Sequence, residues 1–98
     1  MKSIALKEFK AFISLERSML PNMEPLGEYN CTMELYDTGR RGQYFIEWDI
    51  PDLDECECIG IWVDNNKKVT DYDGVFSMPD EAIQLLKENG FDTSEIEN

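Results

Sequence analysis

Carboxylates are the most abundant side chains in this 98-residue chain that could do chemistry at neutral pH. The sequence has 21 acidic residues and no histidine, so the commonest general base and metal ligand in proteins is absent. A carboxylate becomes a general acid or base only where burial or a neighbouring charge raises its pKa. The candidates are Asp71 and Asp73. The sequence indicates no catalytic residue, and we expect that the chain is not an enzyme.

The sequence DYDGV at 71–75 resembles the nucleophile motif of haloacid-dehalogenase-type phosphatases. The resemblance implies that Asp71 would attack a phosphoryl group and that Asp73 would act as acid–base. In that family the motif follows a buried apolar strand near the start of an α/β core, whereas here it follows a charged segment close to the end of the chain. We favour an acidic turn that leads Val75 and Phe76 back into the core. A small carboxylate-dependent phosphotransfer or hydrolase enzyme is the alternative of another class.

Metal binding is the second chemistry that these residue types suggest. The acidic runs offer oxygen ligands for a hard cation, but no window has the spacing of the helix–loop–helix calcium motif. Cys56 and Cys58 could ligate zinc, although the remaining ligands would have to be Cys31 and a carboxylate. An odd count of three cysteines fits reduced thiols in a reducing compartment. We expect no dedicated metal site and no cofactor.

The negative charge of the chain is concentrated after Gly27. Residues 28–98 contain 18 acidic and five basic residues, a formal charge of −13, whereas residues 1–27 have a charge of +1. A field of this sign repels nucleic acid and anionic lipid, and it speeds encounter with basic surfaces. The predicted partner is therefore a basic protein, with no direct contact to nucleic acid or membrane.

Alternation of polar and apolar residues predicts an antiparallel meander of three to four strands. One phase of the alternation would face the helices, and the other phase would form the opposite surface of the sheet. Two glycines between the first two strands suit a hairpin turn, which needs positive φ angles. The predicted strands span 29–36, 43–50 and 58–64, with a short fourth strand at 67–72.

Helices are predicted at both ends of the meander. Apolar residues at helical spacing over 4–20 indicate an N-terminal amphipathic helix. A C-terminal helix is indicated by Ser77 as its cap, Pro79 in its first turn and Gly90 after its end. The predicted fold class is α+β: an N-terminal helix, a three- to four-stranded antiparallel meander and a C-terminal helix.

Length and composition favour a single domain, 1–98. At 42% hydrophobic residues the chain can build one modest core. No stretch approaches the ~18 apolar residues of a membrane span, and the N-terminus lacks the apolar run of a secretory signal. We expect a cytoplasmic protein in which residues 92–98 form a frayed acidic tail.

The strand phase that faces away from the predicted helices combines acids with aromatic rings. Rings supply desolvated contact area and cation–π attraction, and carboxylates steer a basic partner. Alternatively, one helix packs on each side of the sheet, so that Phe45 and Trp62 are core and only the acidic loops 52–57 and 71–73 bind. We name this set the acidic–aromatic face: Glu34, Tyr36, Phe45, Glu47, Asp49 and Trp62.

In size, acidity and expected α+β build, the chain resembles the small acidic immunity proteins of bacterial toxin systems, including those of contact-dependent growth inhibition. The resemblance is at the level of the class and implies a cytosolic protein that binds and neutralises a basic toxin domain, with a nuclease as the expected toxin. A phage-type nucleic-acid mimic that inhibits restriction or defence enzymes is the alternative among binding proteins. The predicted partner-binding residues are Glu34, Tyr36, Glu47, Asp49, Asp52, Asp54, Glu55, Glu57, Trp62, Asp71 and Asp73.

Overall fold

The computed structural model describes residues 1–13 and 27–97. In this part of the chain, five strands form one antiparallel sheet in which every strand pairs with its neighbours in sequence. One helix packs on one face of the sheet. The elements are β1 (Lys2–Ile13), β2 (Gly27–Asp37), β3 (Gln43–Ile50), a 3-10 turn (Pro51–Leu53), β4 (Glu55–Val63), β5 (Val69–Asp73) and α1 (Asp80–Glu88).

The N-terminal segment is a strand in its described part. β1 pairs antiparallel with β2 along its whole length. Ala5 and Phe9 are four residues apart, which is about one helical turn but also two repeats of a strand, so they share a face in either structure. Pairing with β2 decides between the two. The predicted helix over 4–20 is wrong for residues 4–13, and its remainder, 14–20, lies outside the described residues.

The meander predicted from alternation is confirmed, but the sheet has five strands rather than three to four. The additional strand is β1, and the short charged strand is β5. The hairpin between β2 and β3 uses two glycines with positive φ, 86° at Gly39 and 74° at Gly42. The turn is held close to the neighbouring strand because the Val63 N–H donates to the Gly42 carbonyl oxygen at 2.9 Å.

The core lies between α1 and one face of the sheet. Burial alternates along the inner part of β2 and along β3, as a strand with one buried face requires. Each large apolar side chain that is fully buried contributes roughly 1.5–3 kcal/mol relative to exposure. The main core residues are Met33, Leu35, Ile46, Trp48, Ile59, Ile61, Val69, Ala82, Leu85 and Leu86.

The C-terminal helix is confirmed, although Ser77 does not cap it. The N-cap is Pro79, and no side chain caps the first turn. Ser77 lies two residues before the cap position, outside the geometry in which a hydroxyl reaches the first N–H groups. At the other end Gly90 has a φ of 86°, and the Phe91 N–H donates to the Leu86 carbonyl at 3.1 Å. Phe91 is buried, which is the hydrophobic contact typical of a glycine-terminated helix.

The described part of the predicted tail, 92–97, makes contacts with the rest of the domain. Asp92 pairs in parallel with Lys68, the residue before β5, and its carbonyl oxygen accepts the Val69 N–H at 2.8 Å. Thr93 is buried, and Lys87 forms an ion pair with Glu97. These contacts were not visible as a pattern in the acidic sequence.

In the described part of the chain, no helix has the length and apolar character needed to cross a membrane.

Candidate partner-binding surface

The acidic–aromatic face lies on the side of the sheet opposite α1. Its residues occupy the strand phase that is partly exposed, whereas the intervening residues of β2, β3 and β4 include the buried core. Phe45 is half-buried and Trp62 is 37% exposed. Within residues 1–13 and 27–97, no second helix covers these rings. The arrangement with one helix on each side of the sheet is therefore not the one found in this part of the chain.

Three aromatic rings form a row across three strands. Tyr36 and Phe45 are directly opposite each other, and their rings stack with centroids 4.8 Å apart and planes 18° apart. Phe45 is in turn opposite Gly60. The Trp62 indole lies over Gly60, since a Cβ placed on that glycine would be 3.0 Å from the indole Cη2. The missing side chain at Gly60 leaves room for a flat apolar surface beside Phe45.

Glu34 borders this row with a positioned negative charge. Its carboxylate accepts a hydrogen bond from the Ser3 hydroxyl at 2.5 Å and from the Tyr36 hydroxyl at 2.6 Å. These two bonds hold the pKa of Glu34 below its ordinary value. The hydrogen bond from the Tyr36 hydroxyl to Glu34 also raises the pKa of Tyr36 to about 12. Glu34 is therefore ionised at neutral pH, with both carboxylate oxygens fixed in direction.

Glu47, Asp49 and Cys56 form a cluster next to Glu34. Glu47 is directly opposite Glu34, and Asp49 is directly opposite Cys56. Desolvation, followed by repulsion from Asp49, raises the pKa of Glu47 above its ordinary value. A hydrogen bond to Asp49, followed by desolvation, raises the pKa of the Cys56 thiol to about 12. The cluster thus holds negative charge under mutual repulsion, which a bound cation would relieve.

The same cluster is the group in the described residues whose ligand atoms are close enough to hold a metal ion. One carboxylate oxygen each from Glu47 and Asp49 and the Cys56 sulfur lie within 4.8 Å of one another. A thiol ligates a metal as the thiolate, and the raised pKa of Cys56 opposes that state at neutral pH. Cys31 is buried on the α1 side of the sheet, so it does not join Cys56 and Cys58 in the zinc set considered from sequence.

Opposite pKa shifts predict opposite pH effects for two neighbouring glutamates. The folded-state pKa of Glu47 is raised above the ordinary value of 4.5. Ionisation of Glu47 therefore destabilises the fold as pH rises above 4.5, and below 4.5 Glu47 has no such effect. Glu47→Gln should therefore raise the melting temperature at neutral pH by about 1–2 °C, with the gain vanishing in acid. The folded-state pKa of Glu34 is lowered, so its stabilisation is present above 4.5 and is lost as pH falls through the folded pKa.

The matched variant Glu34→Gln should therefore lower the melting temperature at neutral pH, and this loss should disappear in acid. Thermal unfolding of both variants and the parent from about pH 3 to pH 8 measures the two differences. A shift of the same sign for both variants at neutral pH would contradict the arrangement of charges described here.

The hydrogen bond from Cys56 to Asp49 predicts that the Cys56 thiol is alkylated slowly. Alkylation requires the thiolate, whose population is small at about pH 8 when the pKa is about 12. Asp49→Asn should speed alkylation of Cys56 by iodoacetamide at least about tenfold, because it removes the acceptor and its charge. Peptide mapping by mass spectrometry measures the rate. Asp71→Asn is the control, and an equal effect of both variants would show that Asp49 does not hold the thiol.

Asp71 and Asp73 lie on the same surface as the aromatic row. Asp71 is directly opposite Trp62, and Asp73 is directly opposite Gly60. Directly paired residues project to the same face of a sheet. Each carboxylate also accepts the backbone N–H of the next residue at 2.9 Å. These two predicted binding residues therefore extend the acidic border across β5.

The acidic run 52–57 is divided by the structure. Asp52 and Asp54 are exposed in and just after the 3-10 turn that follows β3. Glu55 and Glu57 belong to β4, and Glu57 is opposite the buried Trp48. Glu55 and Glu57 therefore belong to the strand phase on the α1 side, away from the acidic–aromatic face. The structure does not bring these two predicted residues to that face.

The acidic turn predicted for 71–75 is wrong for 71–73, which belong to strand β5. The chain bends after them, at Gly74, which has a φ of 101°. Val75 packs against the core. Phe76 does not, because its side chain is 101% exposed; the expectation that both residues return to the core is wrong for Phe76. A fully exposed ring just after the acidic edge of the sheet is available for contact with a partner.

Four residues of this surface were not predicted from the sequence. Cys56, Cys58 and Gly60 share the strand phase of Trp62, and two of them pair directly with acidic residues of β3. Every second position before Trp62 is one of these three residues, so extending the alternation of β4 towards its start would have predicted them. Ser3 was missed because its strand was predicted as a helix, and no strand phase was assigned there.

Comparisons with protein-family models, with curated proteins and with solved structures find no match to the chain.

Proposed function

We propose that this chain is a cytosolic inhibitor that binds a basic protein on its acidic–aromatic face, without catalysis of its own. In its most specific form, the partner is a bacterial toxin domain with nuclease activity, and the chain is the immunity protein that neutralises it. The observation that supports this proposal is a row of three aromatic rings bordered by carboxylates. The row lies on a sheet face that no described helix covers.

The chemistry of the face fits arginine and lysine. A guanidinium group can stack on the Tyr36 and Phe45 rings while its N–H groups reach the carboxylates of Glu34 and Glu47. Ring contacts give desolvated area near the centre of an interface, and carboxylates at the border steer the approach. Nucleases concentrate basic residues where they hold phosphates, so a surface of this kind competes for the same residues.

The aromatic row also separates this proposal from nucleic-acid mimicry. A mimic presents negative charges at the regular spacing of phosphates, whereas here apolar rings divide the carboxylates of β2 and β3 from those of β5. Rings at the centre favour one partner with a complementary surface over many nucleic-acid enzymes.

Two variants with the same net charge test where the partner binds. The face variant combines Glu34→Gln, Glu47→Gln and Asp49→Asn. The control variant neutralises three carboxylates in the first turn of α1 and near the C-terminus. Each removes three negative charges, from −12 to −9. The control substitutions are Asp80→Asn, Glu81→Gln and Glu95→Gln.

The experiment is a pull-down from host cells at low salt with tagged parent, face variant and control variant, followed by mass spectrometry. We expect one stoichiometric basic protein, toxic when expressed alone, that the parent and the control variant retain and the face variant loses. Recovery of many nucleic-acid enzymes would favour mimicry. Equal recovery by all three proteins would exclude the acidic–aromatic face as the docking surface. If no protein binds the parent, the inhibitor proposal fails.

A further inference from the structure

A second charged region lies at the end of the sheet, in the turns between β2 and β3 and between β4 and β5. The segment after Gly27 is strongly acidic, with 18 acidic residues against five basic ones. Four of these five basic residues nevertheless occur in the two turns. This end of the molecule therefore has a charge pattern opposite to that of the acidic–aromatic face. The four residues are Arg40, Arg41, Lys67 and Lys68.

The two turns border a cavity that is open to solvent and has a volume of about 530 Å³. This volume is within the roughly 300–1,000 Å³ range of small-molecule sites. The turns contact each other, since Arg41 Nη2 donates to Asn65 Oδ1 at 3.3 Å. The Tyr44 ring forms part of the wall and packs edge-on against Phe91, with centroids 5.0 Å apart. Cations from two turns and an aromatic wall thus line one concave space.

Lys67 is held in position at this cavity. Its φ is 59°, a left-handed conformation that is uncommon for residues other than glycine. Its N–H donates to the Asp64 carbonyl at 3.2 Å, and its carbonyl accepts the Asp92 N–H at 2.9 Å. The ammonium nitrogen lies 5.1 Å from the centroid of the Phe91 ring. The two backbone hydrogen bonds and the contact with the Phe91 ring together fix the position of the Lys67 ammonium group.

The carboxylate that lines the cavity, Asp64, accepts hydrogen bonds from the backbone of its own turn. Asp64 Oδ1 accepts the backbone N–H groups of Asn66 at 2.8 Å and Lys68 at 3.0 Å. Within residues 1–13 and 27–97, neither Arg41 nor Lys67 has a carboxylate as an ion-pair partner. Asp64 keeps its own negative charge, so the three charged residues of the lining, Arg41, Lys67 and Asp64, have a formal charge of +1.

We infer that this cavity binds a small organic phosphate, with its phosphoryl group between Arg41 and Lys67. A guanidinium matches phosphate oxygens through two parallel N–H groups, and a lysine adds a point charge. The two cations outnumber the one carboxylate of the lining, so the site attracts the negative charge of a phosphate monoester. The volume beyond the phosphoryl group and the wall formed by Tyr44 accommodate the organic part of the ligand. This site is separate from the acidic–aromatic face and does not depend on the proposed function.

Titration of the ¹⁵N-labelled protein with adenosine 5′-monophosphate, inorganic phosphate and adenosine at constant ionic strength tests the inference. We expect the nucleotide to shift the amide signals of Gly42, Asn65 and Lys67 saturably, inorganic phosphate to bind more weakly, and adenosine to leave them unchanged. Arg41→Gln and Lys67→Gln should each weaken nucleotide binding about tenfold, the effect of losing one charged hydrogen bond. Arg40→Gln removes the same charge beside the cavity and should change binding less than about twofold.

Several outcomes would overturn the inference. They are a failure of the nucleotide to saturate the signals below about 10 mM, equal shifts by adenosine, or equal losses of binding in Arg40→Gln and Arg41→Gln. Lys67→Asn is the second variant at that position, because asparagine tolerates the left-handed conformation. Melting temperatures of all variants identify any loss of fold. The face variant should bind the nucleotide like the parent, so failure here and failure of the proposed function are distinguishable.

Discussion

The face variant is expected to associate with the recovered basic partner about tenfold more slowly than the parent at low salt. Its three substitutions remove charge around the aromatic row, where Glu34 is fixed by two hydrogen bonds. Electrostatic steering raises association rates by roughly 10–10³-fold, and its strength depends on the charge near the docking site. Stopped-flow mixing with the labelled partner measures the rate. Dissociation should change less, because the rings remain.

Salt provides the internal control of this prediction. The screening length falls from about 30 Å at 0.01 M to about 8 Å at physiological ionic strength. The parent and the control variant should therefore slow down together as salt is added, and the face variant should respond less steeply. If the control variant loses as much rate as the face variant, the effect comes from net charge and not from this surface.

The difference between predicted and observed fold lies mainly in β1, where an inward-facing lysine and the outward-facing apolar residue Leu6 both obscure the alternation. Lys7 occupies the strand phase of Ala5 and Phe9, so the apolar alternation typical of a strand is interrupted in the sequence. The long side chain reaches from the sheet to the helix, where its ammonium lies 3.5 Å from Glu88. Lysine can place its methylenes on apolar surface and its charge in water. This contact depends on α1, and no local pattern reveals it.

The candidate site was predictable where one strand phase is apolar throughout. In β2 and β3 the buried phase is clear, and Glu34, Tyr36, Glu47 and Asp49 lie where alternation places them. At the start of β4 both phases are polar or small, as in Cys56-Glu57-Cys58. Alternation has no signal there, so the sequence predicts a loop at 52–57. The pairing of β4 with β3 assigns its faces, and that pairing is a tertiary property.

The second large effect is expected from Gly74→Ala, which should destabilise the protein by about 3–4 kcal/mol. Gly74 has a φ of 101°, a conformation that alanine adopts only with strain. In addition, its Cβ would lie 2.3 Å from the Cys58 carbonyl oxygen. That oxygen belongs to the backbone of a central strand and cannot move without disturbing the pairing of β4. The end of β5, with Asp73, would have to shift instead.

Gly39→Ala separates the two causes. Gly39 also has a positive φ, 86°, but its Cβ would meet no atom within 4 Å, so only the conformational cost of about 1–2 kcal/mol applies. Urea unfolding of both variants measures the difference, which is the contribution of the contact with Cys58. Hydrogen exchange should also show faster opening of β5 in Gly74→Ala alone. Equal losses in both variants would mean that β5 does not end against β4 as described, and Asp71 and Asp73 would then lose their place beside the aromatic row.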